Sequence, residues 1–140
     1  MTRLIGMSMR IVAAVGLAAS AVSFFGHRAF AEEQPMNTLA EATSGPLRCA
    51  IRRFDHGDAI QLRGVLAGSD AVAGHFRFAV VRSGPSGTSN INQANPFKLV
   101  PNGEMQVAQV TINRDTGSHV AITFSAVLEG GAECRAEATL

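Results

Sequence analysis

The sequence predicts an all-β fold, a small immunoglobulin-like antiparallel β-sandwich of about seven or eight strands. Three observations lead there. Apolar residues recur at every second position through most of the chain beyond Pro46, which is the signature of strands with one buried face. Clusters of Gly, Pro, Asn and Asp interrupt these runs at short intervals, and no stretch sustains a helical period. An open β-barrel would use the same strands, because a period of two does not specify strand order.

In chain order, residues 1–31 read as a secretion signal. Arg3 and Arg10 give a basic start, Ile11 to Gly26 is apolar or small, and Ala29-Phe30-Ala31 is a small-x-small cleavage site. Arg10 bounds the apolar run below the roughly 18 to 20 residues that a spanning helix needs, so a cleaved leader is expected and no membrane segment after it. Cleavage after Ala31 leaves 109 residues, enough for one domain with one modest core. That portion holds nine basic and eleven acidic residues, a net charge of −2 with His neutral. Such a balance lacks the concentrated basic footprint of a nucleic-acid binder, and the chain has neither Trp nor Tyr for base stacking.

Residues 32–46 have only Met36 and Leu39 as sizeable apolar groups, and they read as a flexible linker ahead of a domain spanning 47–140. The first strand alternates Leu47, Cys49 and Ile51 with Arg48, Ala50 and Arg52, then turns at Asp55-His56-Gly57-Asp58. The second places Ile60, Leu62 and Leu66 on one side and Gln61, Arg63 and Val65 on the other, up to a break at Gly68-Ser69-Asp70. In the third, Phe76, Phe78 and Val80 oppose His75, Arg77 and Ala79. From Ser83 a Gly- and Ser-rich loop feeds an amide-rich polar strand, and Phe97 to Val100 forms a short strand of its own before the Pro101-Asn102-Gly103 turn. Between Glu104 and Asn113 the apolar parity switches from Met105 and Val107 to Ala108, Val110 and Ile112, which predicts a bulge. Val120, Ile122, Phe124, Ala126 and Leu128 form the clearest core strand. Gly130-Gly131 then makes a tight hairpin into a last strand, Ala132 to Thr139, with Cys134 inward.

Cys49 and Cys134 both share parity with inward residues, and an exported chain meets oxidising conditions, so a disulfide from the first strand to the last is expected. A redox pair is the alternative, though no Cys-x-Cys or Cys-x-x-Cys spacing holds two thiols within exchange distance. His56, His75 and His119 fall in turns or at outward positions without ligand spacing, so no metal is expected. The Ser83 to Ser89 loop lacks the Lys-Ser or Lys-Thr of a phosphate loop, and no Gly-x-Ser-x-Gly elbow occurs. Neither a cofactor nor enzymatic activity is expected. Arg48, Arg52, Arg63 and Arg77 take outward positions on the first three strands. If those strands are neighbours they make a positive patch for an acidic or amide-rich extended client; an ordinary soluble sheet surface is the plainer reading.

One stretch is more specific than any of these patterns. Ser83-Gly84, then Gly87-x-Ser89-Asn90-Ile91-x-Gln93, then Phe97, resembles the hallmark segment of the CsgH family of curli-type amyloid-inhibiting chaperones. The rhythm of strands and the two cysteines near the domain ends agree with it. The resemblance implies a periplasmic, immunoglobulin-like chaperone whose transient client is a curli-type amyloid subunit, and the protein itself is expected to be a monomer. The related CsgC proteins carry a close Cys-x-Cys pair, whereas Cys49-Ala50-Ile51 has one thiol, so CsgC-like thiol chemistry is not implied. Asn90, Asn92 and Gln93 are candidate amide contacts to a client, with turn formation and bonding to one another as the competing reading. A structural or adhesive β-domain without amyloid inhibition is the alternative function, and an oxidoreductase accessory module a more distant one.

Overall fold

The computed structural model describes residues 36–140, so the secretion signal and its cleavage site lie outside the described residues. Eight strands follow in order: β1 (Asn37–Ser44), β2 (Leu47–His56), β3 (Ala59–Gly68), β4 (Val72–Gly84), β5 (Gly87–Leu99), β6 (Gly103–Asn113), β7 (His119–Leu128) and β8 (Glu133–Thr139). They form two antiparallel four-stranded sheets in the orders β1-β2-β3-β6 and β5-β4-β7-β8. The chain crosses between sheets after β3, β5 and β6. The pairings of β3 with β6 and of β4 with β7 interlock the layers as in an immunoglobulin-like sandwich.

Between the layers lies one core, built from the inward parity of each strand. Leu47, Ile51, Leu62 and Leu66 from the first sheet face Phe78, Val80, Ile122 and Phe124 from the second, all nearly or fully buried. Phe124 packs edge-on against Phe76 and Phe78, with ring centroids 6.5 and 5.5 Å apart. Gly64 is set by this packing, since a Cβ built there would meet Phe78 Cδ2 at 2.9 Å and Phe124 Cζ at 3.2 Å. Cys49 on β2 and Cys134 on β8 are disulfide-bonded across the layers, with Cα atoms 6.2 Å apart and exposures of 0% and 1%.

The bulge expected in β6 is present. Gly64 pairs with Ala108 and Val65 with Gln106, which leaves Val107 as the inserted residue that reverses the parity. Four expectations need correction. Residues 37–44 of the expected linker are an ordered strand, so the domain begins ten residues earlier than Leu47. Backbone pairing to β2, with Leu39, Ala40 and Ala42 packed against the core, holds this strand without large apolar residues. The loop after Ser83 is only a two-residue turn, Pro85-Ser86, because Gly84 pairs with Gly87. Phe97–Leu99 is not a separate strand either: Ile91, Gln93, Asn95, Phe97 and Leu99 keep a single phase, and the register with β4 runs unbroken from Val72↔Leu99 to Gly84↔Gly87. Finally, with β1 added, the disulfide joins the second strand to the last.

Candidate functional site

Strand adjacency decides what becomes of the four arginines. Arg48, Arg52 and Arg63 lie on the outer face of the first sheet, where β2 and β3 pair, with Arg52 and Arg63 directly opposite one another. Arg77 lies on β4 in the second sheet, so it cannot belong to the same patch. The condition for a four-arginine patch, that the three strands be neighbours, is therefore not met: three arginines share one side and Arg77 stands on the other, because the chain changes layers between β3 and β4.

Like charges directly opposite repel, and the two side chains resolve this by diverging. Arg52 Nη1 donates to Glu104 Oε1 at 2.8 Å, while Arg63 Nε donates to Gln61 Oε1 at 2.7 Å and its guanidinium carbon sits 4.0 Å from the Phe54 ring centroid. Glu104 pairs across from Ala67, two residues beyond Val65 on the same face, so the Arg52 side chain must reach past Val65. This explains why an outward Val65 is only 5% exposed: the arginine stem covers it. Arg52 Nε is buried without a hydrogen-bond partner. Around these groups is a shallow recess of ≈ 270 Å³ lined by Met36, Arg52, Phe54, Arg63, Val65, Glu104 and Gln106. Arg48 stands 3.6 Å from Glu41 on the neighbouring β1. The face is thus basic and aromatic, with part of its charge balanced by two glutamates. Phe54 was legible as the same-parity successor of Arg52; Glu104 and Gln106 join from a distant strand and carry no local signal.

The three amide candidates divide between two surfaces. Asn90 and Asn92 are exposed on the outer face of β5, and Asn92 Nδ2 donates to Asn90 Oδ1 at 2.9 Å. Gln93 points the other way, toward the first sheet. Its Nε2 donates to the Gln109 carbonyl at 2.9 Å, and its Oε1 accepts from the Gln109 N–H at 3.1 Å. Both polar ends of Gln93 are thereby used in joining the layers, which a reading of sequence spacing could not find. Arg77 is exposed between Ala94 and Ser125 and makes no ion pair among the described residues.

At the far end of the first sheet, Asp55 accepts from Arg53 Nε and Arg114 Nη2, each at 2.9 Å. The hydrogen bond from Arg53, followed by the charges of both arginines, holds the Asp55 carboxyl below its ordinary value. Arg82 is paired with Asp115 beside the Pro85-Ser86 turn. Among the described residues no group of three or more His, Cys, Asp or Glu converges as a metal site. His56, His75 and His119 are all exposed and far apart in the register.

A sequence model of the family described as CsgH protein matches residues 48–137. Among solved structures, that of R. palustris CsgH is similar, with a TM-score of 0.53 and 22% identity over 67% of this chain and 90% of that one. The E. coli curli protein CsgC is a second neighbour, at a TM-score of 0.49 and 14% identity over 64% and 85% of the respective chains. No curated protein matches the sequence.

Proposed function

The chain belongs to the CsgH family, and from that premise we propose that it is a periplasmic chaperone that holds curli-type amyloid subunits back from assembly through transient contact. The family match carries this reading. The buried inter-layer disulfide supports an oxidising compartment, since such bonds persist in the periplasm and are rare in the cytosol. With both sulfurs joined and enclosed, the mode of action is contact and not thiol exchange.

The contact begins with charge. Arg48, Arg52 and Arg63, with Phe54 beside them, form a surface that attracts acidic or amide-bearing extended chain, and Glu41 and Glu104 keep its field moderate. A moderate field suits brief, repeated encounters. An extended segment held at the surface of a twisted sandwich is removed from the pool that can stack in register on a fibril end. No bond in the client is made or broken.

Sedimentation of a purified curli major subunit tests this function. With the mature protein present, the subunit stays in the supernatant longer than it does alone. A subunit that pellets on the same schedule while still binding the protein would establish the adhesive or structural role instead.

A further inference from the structure

Each sheet of a sandwich ends in two strands whose outward N–H and C=O groups can pair with a foreign strand, and proteins ordinarily guard such edges with bulges, charges, short length or a cover. Among the described residues, three of the four edges are guarded. β1 has eight residues, a register break between Thr38 and Ala40, and Glu41. β8 has seven residues and carries Glu133, Arg135 and Glu137. β6 is bulged at Val107, and the Gln93 amide occupies both the N–H and the C=O of Gln109.

Among the described residues, the remaining edge carries such devices only at its far end, where Pro96 and the exposed Lys98 stand. β5 is 13 residues long, its register with β4 is unbroken, and no charged residue occurs from Gly87 to Phe97. The surroundings also specify chemistry. A strand laid along β5 would have Asn90 and Asn92 beside its outer side chains. Its inner side chains would lie near the amide cluster in which Gln93 bonds Gln109 and Gln106 Nε2 donates to Gln109 Oε1 at 3.0 Å. Amides on both sides favour a partner that can extend amide hydrogen bonding, and they offer nothing to balance a charge.

We propose that the free edge of β5 between Gly87 and Asn95 is a strand-addition site for an extended, uncharged, Asn-, Gln- or Ser-bearing segment. The site rests on the chaperone reading above and gives it a docking position distinct from the arginine face. Backbone pairing supplies the hold and the flanking amides the selectivity.

Amide hydrogen exchange on the mature protein, with a soluble uncharged peptide of about ten alternating Asn, Gln and Ser residues as the probe, tests the site directly. Outward N–H groups alternate along an edge, so the peptide should protect every second amide of β5 and leave β1, β6 and β8 unchanged. Protection of another edge, or a response confined to Arg52, Phe54 and Arg63, would overturn the assignment. So would protection of β5 without peptide that grows with protein concentration, because the occupant would then be a second copy of this chain.

Asn90→Lys combined with Asn92→Lys places two gatekeeper charges on exposed positions and should abolish the alternating protection, whereas Thr139→Lys on the opposite edge should keep it. In client aggregation, loss of delay for the double variant alone supports the site. Equal delay by wild type and both variants removes the site and leaves the chaperone function standing, whereas no delay by the wild type removes the function itself.

Discussion

Replacing Cys49 and Cys134 together by alanine should lower the stability of the domain more than any other pair of conservative changes. The two residues are 85 positions apart, so the disulfide closes most of the domain into one loop in the unfolded chain. The chain-entropy relation gives about 4.6 kcal/mol for a closure of that span. A domain of this size has a total stability of about 5–15 kcal/mol, so the loss is about a third of the total or more. At a urea dependence of about 1–3 kcal/mol per molar, the midpoint should fall by about 1.5–4.6 M. Far-UV circular dichroism during urea titration reads this, and it is the suitable probe because the chain has no Trp or Tyr. Double replacement by alanine is preferable to reduction, which would leave two thiols crowded in a core where the cysteines are 0% and 1% exposed. Midpoints within experimental error of one another would refute the reasoning, and with it the claim that this bond staples the two layers.

Further outcomes follow from other contacts. Gln93→Ala removes two hydrogen bonds to Gln109 and should cost about 1–3 kcal/mol in thermal unfolding, with faster exchange of the Gln109 amide as the local marker. Gly64→Ala drives a methyl group into Phe78 and Phe124 and should destabilise by about 1–3 kcal/mol in the same assay. Asp55 is depressed below 3.8 when folded, so its contribution is present above that pH and is lost as pH falls through the lower folded value. Because the Asp55 side chain is only half-buried and its ion pairs are screened by water, Asp55→Asn should cost under about 1 kcal/mol at neutral pH and nothing in strong acid, read by thermal unfolding across pH.

What the sequence disclosed and what it concealed divide along one physical line. Alternation within a strand is local, and so Val120, Ile122, Phe124 and Ala126 announced a core strand, while the parity switch around Val107 announced the bulge. The positions of Cys49 and Cys134 on inward faces were legible for the same reason. β1 was concealed because it is held by backbone bonds to β2, and its own residues show little hydrophobic demand. Adjacency of strands is not local at all. Hence Arg77 could be read as outward but not as belonging to the other sheet, and Gln93 could be read as polar but not as a clasp on Gln109. The edge of β5 became interesting only once the other three edges could be seen to be guarded.

The proposed chaperone inhibits by contact alone. The lag time of a purified curli major subunit, followed by amyloid dye fluorescence with substoichiometric, oxidised mature protein and no reductant, tests it most directly. Inhibition by contact should lengthen the lag and leave the intact mass of both proteins unchanged. An unaltered lag, or a delay that appears only with covalent client adducts, would contradict it.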